Sequence, residues 1–291
     1  MLKHAGSLDT TSRMLRRLCC LLAAAAAARE ACLRQWPPRD ATPPPLFWMH
    51  APKTGTTFRL HVVSVACPRH RRPRGRRKFE ATYVRTLARE KTPCAHAYDE
   101  ASLVEHRSFN TTSCGSGLAL LREPRARLVS AFHYHRDGLP TGRGKPRACF
   151  LMGIRDDGDC RRLRALPERD QLLAYANDSR VRNVQTKMLL GYGRFDAVAD
   201  LDVAEATRRL RECFAFVGVT ERWAASVGLF NRTIRGARLR PDDAAHRANA
   251  GAYDRNNSGV AWLADYADAD TRVYAEAARL VEDRLSLAPC G

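Results

Sequence analysis

Leu46 to Phe58 read LFWMHAPKTGTTF, an apolar run that enters Lys-Thr-Gly-Thr-Thr and continues into residues of helical character. A strand that runs through such a turn into a helix is a phosphate cradle. Gly55 lets the backbone approach an anion, and the helix start offers unpaired N–H groups on the favourable side of the dipole. Lys53 adds a mobile positive charge, and Thr54, Thr56 and Thr57 add hydroxyl donors. The loop is not a Walker A motif, which needs Lys directly after the second of two glycines; here Lys53 precedes Gly55, the only glycine of the loop. Mononucleotide kinases and GTPases are therefore disfavoured.

A second strand-loop-helix lies at 118–134, LALLREPRARLVSAFHY. The apolar residues Leu118 to Leu121 read as a strand ending at Arg122, Pro124 suits a first helical turn, and Arg125 to Tyr134 carry helical spacing. Arg122 follows the strand, and Arg127, Ser130 and Phe132 lie along the helical stretch. Strand and helix patterns then alternate: helices at Thr57–Ala66, Gln171–Ala176, Val181–Leu190, Val203–Cys213, Glu221–Phe230 and Thr271–Leu285, and a short buried strand at Phe214–Val219. The pattern predicts an α/β domain with a mainly parallel central sheet flanked by helices.

The two strand-loop-helix segments, in this order, resemble the 5′-phosphosulfate loop and the 3′-phosphate motif of sulfotransferases, in which an Arg at the strand end and a Ser two turns into the helix hold the 3′-phosphate; a guanidinium fork and a hydroxyl donor suit that task. Asn183-Val-Gln185, Phe216-Val-Gly-Val-Thr-Glu221 and the Tyr274-Ala-Glu-Ala-Ala-Arg-Leu helix follow in the order found in Golgi carbohydrate sulfotransferases of the heparan sulfate 6-O-sulfotransferase type. That group carries one more glycine in its loop. The resemblance spans about Phe47 to Leu285 and implies a P-loop-like three-layer sulfotransferase fold. It also implies 3′-phosphoadenosine 5′-phosphosulfate (PAPS) as donor, with no metal. Carried over residue by residue, Lys53, Thr54, Gly55, Thr56 and Thr57 hold the 5′-phosphosulfate, and Arg122 and Ser130 hold the 3′-phosphate. His96, in Cys94-Ala-His96-Ala-Tyr98-Asp99, stands where the group has its catalytic base; Tyr98 replaces the group's Asp, and Asp99 is left to orient the imidazole. His50, His133 and His135 are the competing bases among nine histidines. Lys53 serves the leaving-group side. Asn183, Gln185 and Lys187 are acceptor-contact candidates on a helix near the group's substrate cleft, against the reading of an ordinary polar face. Arg247 and Asn249 fall where cofactor-capping loops occur.

The chain has 291 residues, enough for one catalytic domain after an N-terminal appendix. Residues 1–30 read as a cytoplasmic tail with a signal peptide or signal anchor, 31–45 as a Pro-rich stem and 46–291 as the catalytic domain. Leu18 to Ala28 form an apolar run of eleven residues, short of the about 20 that span a bilayer. An Ala-rich soluble helix or a transit peptide is the competing reading. Ten cysteines, with no Cys-x-x-Cys pair, suggest disulfides rather than zinc, and Cys149–Cys160 across a Gly/Asp-rich loop is the local bridge expected. Sequons at Asn110, Asn177, Asn231 and Asn256 point the same way, with Asn231 on a helical stretch. Together these features favour a secretory-pathway protein; the resemblance implies a type II membrane protein of the Golgi lumen, with secretion after cleavage as the alternative.

A net charge of +18 calls for an anionic partner. The densest run, Arg69 to Lys78, reads either as a docking surface for an acidic polysaccharide or as a solvated insert. Nucleic acid is disfavoured, since no zinc finger, aromatic interleaving or recognition-helix pattern accompanies the charge. The leading expectation is sulfuryl transfer to a hydroxyl of an acidic or neutral glycan. The alternatives are a sulfotransferase for protein tyrosine or a small lipid, a P-loop kinase-like phosphotransferase, and a non-enzymatic secreted polyanion-binding protein.

Overall fold

Three apolar stretches become strands, and Ala215 alone among their residues is not fully buried. In the computed structural model, which describes residues 33–36, 45–55, 58, 62, 106–136, 157–239, 263 and 268–288, these are β1 (Phe47–Met49), β2 (Gly117–Leu121) and β3 (Phe214–Val219). They form a parallel sheet in the order β1-β2-β3, with Trp48 opposite Leu118 and Leu121 opposite Val219. The middle strand is apolar throughout, as expected of a parallel strand covered on both faces.

Seven helices accompany the sheet among the described residues: α1 (Pro124–Arg136), α2 (Asp157–Ala165), α3 (Glu168–Asn177), α4 (Val184–Leu190), α5 (Asp200–Glu212), α6 (Trp223–Thr233) and α7 (Asp268–Ser286). α6 and α7 pack on β3, and α7 also reaches α5 and α4. Val273, Ala277, Leu280 and Val281 form the buried stripe of α7, as their spacing predicts. A second cluster joins Leu128, Val129 and Phe132 of α1 to Leu172 and Tyr175 of α3.

The element types agree with the α/β expectation, while several boundaries moved. α4 starts at Val184 rather than Val181, because Asn183 takes a left-handed conformation (φ 49°) that a helix interior excludes. α6 begins only after the 3-10 turn Thr220–Arg222. α2 was not expected: its arginines obscure an apolar face carried by Cys160 and Leu163 alone. Leu33 and Trp36, within the segment read as stem, belong to the core at 4% and 6% exposure. Trp36 forms a parallel bridge with Ile234, so these residues join the domain. Residues 1–30 and the Arg69–Lys78 run lie outside the described residues. Among those described, no helix is long and apolar enough to cross a membrane.

Candidate functional site

The carboxyl ends of parallel strands are where open α/β sheets bind ligands, and here both expected loops, together with the turn after β3, leave from that edge. β1 runs into Ala51–Gly55, β2 into Arg122-Glu123, and β3 into Thr220-Glu221. The first loop is fixed from several sides. Thr54 donates its hydroxyl to the Ala51 carbonyl at 2.7 Å, and the Phe58 N–H reaches the Gly55 carbonyl at 2.9 Å. Phe58 stacks on Trp48 and Phe216 and meets Trp223 and Phe230 edge-on, so the end of the loop is anchored in aromatic core. Gly55 has φ 99°, and a Cβ there would stand 2.6 Å from Leu120 Cδ2. Glycine is demanded twice, by conformation and by contact. Lys53 is itself left-handed at φ 68°, a local cost of about 1–2 kcal/mol that the surrounding contacts hold in place.

Arg122 lies beside this loop and donates from Nη1 to the Lys53 carbonyl at 3.3 Å. The Lys53 ammonium sits over the Tyr134 ring, 4.1 Å from its centroid. Burial, and then the positive charge of Arg122, lower the Lys53 amine from 10.5 to about 8. Two cations held this close form a local positive field, and a bound anion would relieve their repulsion. Glu123 follows Arg122, and its carboxylate caps α1, accepting from Arg125 N, Arg125 Nε and Ala126 N. On the β3 side, Tyr274 donates to Glu221 at 3.0 Å, and burial with that carboxylate pushes the phenol well up.

The other expected residues fall differently. Thr54 is fully buried and directs its hydroxyl inward, so its side chain is not a phosphate donor as placed. Ser130 lies two turns into α1, as expected, but at 2% exposure. Gln185 and Lys187 do not face a cleft, and here the sequence expectation is corrected. Gln185 is fully buried, with its amide paired to the backbone of Arg122. The Lys187 ammonium donates to the Ser179 and Arg194 carbonyls at 2.6 and 3.0 Å, tying two loops together. Asn183 accepts from the Asp270 N–H at 3.3 Å and shapes the entry to α4. A short amphipathic helix reads alike whether its polar residues meet substrate or buried backbone, which is why the pattern misled.

Thr56, Thr57, His96, Arg247 and Asn249 lie outside the described residues, as does the side chain of His135. His50 packs at the strand end at 2% exposure. Its carbonyl lies 2.8 Å from His106 Nδ1, and the two rings meet tilted by 33° with centroids 4.3 Å apart. A carbonyl only accepts, so Nδ1 of His106 carries the proton and Nε2 is the basic nitrogen. His133 lies 3.7 Å from Glu168. The sequence reading missed His106 and Tyr134; a histidine shortly before the second strand was the available signal for the first. Nothing in the spacing marks Tyr134, whose role depends on how α1 turns toward the loop. Among the described residues no group of His, Cys, Asp and Glu is arranged to hold a metal ion.

Cys114 and Cys213 form a disulfide, a pair the sequence left open. Cys160 is also disulfide-bonded, and Cys149, its expected partner, lies outside the described residues. Of the sequons, Asn110 and Asn177 are exposed. Asn231 lies on α6, as its surroundings suggest, and both ends of its amide bind the Leu239 backbone. A scan against protein-family models finds no match, and a search of curated proteins finds none either.

Proposed function

We propose that the protein is a PAPS-dependent sulfotransferase acting on a carbohydrate hydroxyl, with a P-loop-like sulfotransferase fold. The observation that carries the reading is the pairing of Lys53 and Arg122 at the ends of two adjacent parallel strands, linked at 3.3 Å. The donor set fits a nucleotide with anionic groups at both ends: a mobile ammonium on one loop and a guanidinium fork on the next. The fit is helped by Gly55, where the chain runs too close to Leu120 for a side chain. When bound, PAPS supplies the sulfuryl group and a leaving phosphate.

The chain's own residues then have distinct tasks. Lys53, with an amine near 8, is mostly charged at neutral pH and offsets negative charge developing on the leaving side. Arg122 grips the 3′-phosphate and fixes the nucleotide's register; the role of Ser130, buried at 2% exposure, as second donor rests on the sequence resemblance. His96 takes the acceptor proton through a neutral imidazole; its assignment rests on the sequence resemblance. His106, with its tautomer set by the His50 carbonyl, is the contrasting imidazole. The Cys114–Cys213 disulfide supports an oxidising compartment, in keeping with a Golgi lumenal enzyme held by its N-terminal segment.

Transfer of labelled sulfate from PAPS to a panel of glycans and tyrosine peptides tests the reading. Transfer to a glycan is expected, with loss of turnover but not of nucleotide binding in His96→Ala and retention of both in His106→Ala. Transfer only to tyrosine peptides would change the acceptor class. Loss in His106→Ala alone would move the base there.

A further inference from the structure

Arg122 is the first residue beyond β2, where the ladder to the neighbouring strands has ended. Its backbone is nevertheless fully paired. The Arg122 N–H donates to Gln185 Oε1 at 2.9 Å, and Gln185 Nε2 donates to the Arg122 carbonyl at 2.9 Å. One side-chain amide thus copies the pair of bonds that another strand would make, and its orientation is fixed because each end meets a group of one kind only. Gln185 has 0% exposure, so water does not compete.

Gln185 is itself held from behind. Asp270, near the start of α7, accepts from the Gln185 N–H at 3.3 Å, and from the Thr186 N–H and hydroxyl at 2.8 and 2.9 Å. Asp270 is fully buried and faces Arg127 Nε at 3.7 Å. Arg127, 1% exposed, donates to the Val181 carbonyl at 2.7 Å in the turn that leads into α4. The first turns of α1, α4 and α7 are therefore tied to one residue, the cation at the end of β2.

We propose that Gln185, anchored by Asp270, is a positioning residue that sets the reach of Arg122 toward the 3′-phosphate of the nucleotide. This rests on the sulfotransferase reading. A residue with this task distinguishes nucleotides by the group Arg122 grips, whereas a merely structural residue weakens every ligand alike.

The test uses the full chain and two probes, 3′-phosphoadenosine 5′-phosphate and 5′-AMP, which lacks the 3′-phosphate. In Gln185→Ala, loss of two buried hydrogen bonds is expected to weaken the first probe about tenfold and leave the second unchanged. Gln185→Glu keeps the shape, and its unfolding transition checks that it folds. Its carboxylate cannot donate to the Arg122 carbonyl, but its protonated form supplies one donor and one acceptor. Affinity for the 3′-phosphorylated probe, taken relative to the unsubstituted chain at each pH, is expected to recover as pH falls. Equal loss for both probes, or no recovery in Gln185→Glu, overturns the positioning role alone. Absence of saturable binding of either probe to the unsubstituted chain overturns the sulfotransferase reading and the positioning role with it.

Discussion

The two ends of the sheet are built on opposite terms. At the amino end, neutral groups meet their partners. Gly115 and Gly117 both donate to the Cys213 carbonyl at 2.9 and 3.2 Å, and the Ser116 hydroxyl donates to Pro45 at 2.8 Å. Phe109 fills the space between Phe47 and Phe214, and the Cys114–Cys213 disulfide closes the edge. At the carboxyl end the backbone turns left-handed at Lys53 and Gly55, two cations adjoin, and a charged pair lies wholly inside. The left-handed Lys53, the adjoining cations and the buried charged pair are features of the kind found where proteins bind and react. α7 serves both: Asp270 near its start supports the carboxyl end, and Arg284 near its finish donates to the Phe214 and Ala215 carbonyls.

Substitutions at the two ends should therefore separate stability from binding. The largest stability effect is expected from Cys114→Ser with Cys213→Ser. The bridge spans 99 residues, and closing a loop of that size is worth about 4–5 kcal/mol in the chain-entropy account. Urea unfolding should show that loss, with nucleotide affinity of the folded protein unchanged; a matching loss of affinity would mean that the ends are not separable. Asp270→Ala strands the buried Arg127 charge and should cost about 3–5 kcal/mol, while also weakening nucleotide binding. Retained stability there would show that Arg127 finds another partner.

Gly55→Ala should cost about 1–3 kcal/mol through overpacking against Leu120 and the left-handed backbone, and should impair binding beyond that cost. Lys53→Met has the clearest pH signature. The folded-state amine, lowered to about 8, favours its neutral form relative to the unfolded value of 10.5. The unfolded chain therefore binds more protons between those values, and stability without nucleotide should rise with pH across about 8 to 10.5. Lys53→Met should remove that rise in pH-dependent unfolding. Anion binding runs the other way: it favours the charged amine, so affinity should fall as pH passes 8. An affinity that is flat in pH would place the anion away from Lys53.

How much of this was written in the chain differs between the same two regions. Phe214–Val219 is a strand at the residues expected, because an apolar β-rich run bounded by a helix end and a polar turn has few other solutions. The Lys53 and Arg122 loops were legible for the same reason: strand, turn and helix are local in sequence. The support beneath Arg122 was not. Gln185 and Asp270 lie 63 and 148 residues beyond it, and neither carries a signal that separates a buried clamp from a polar surface. Asn183 shows the same limit on a smaller scale, since its left-handed turn is sustained by a contact with Asp270 across 87 residues.

The most direct test is calorimetric titration of 3′-phosphoadenosine 5′-phosphate into the full chain, its Lys53→Ala variant and its Arg122→Ala variant. Saturable one-to-one binding in the unsubstituted chain, weakened at least tenfold in each variant with the unfolding transition retained, is the expected result. Binding that is absent, or that persists unchanged in both variants, would contradict a nucleotide site at the carboxyl end of the sheet.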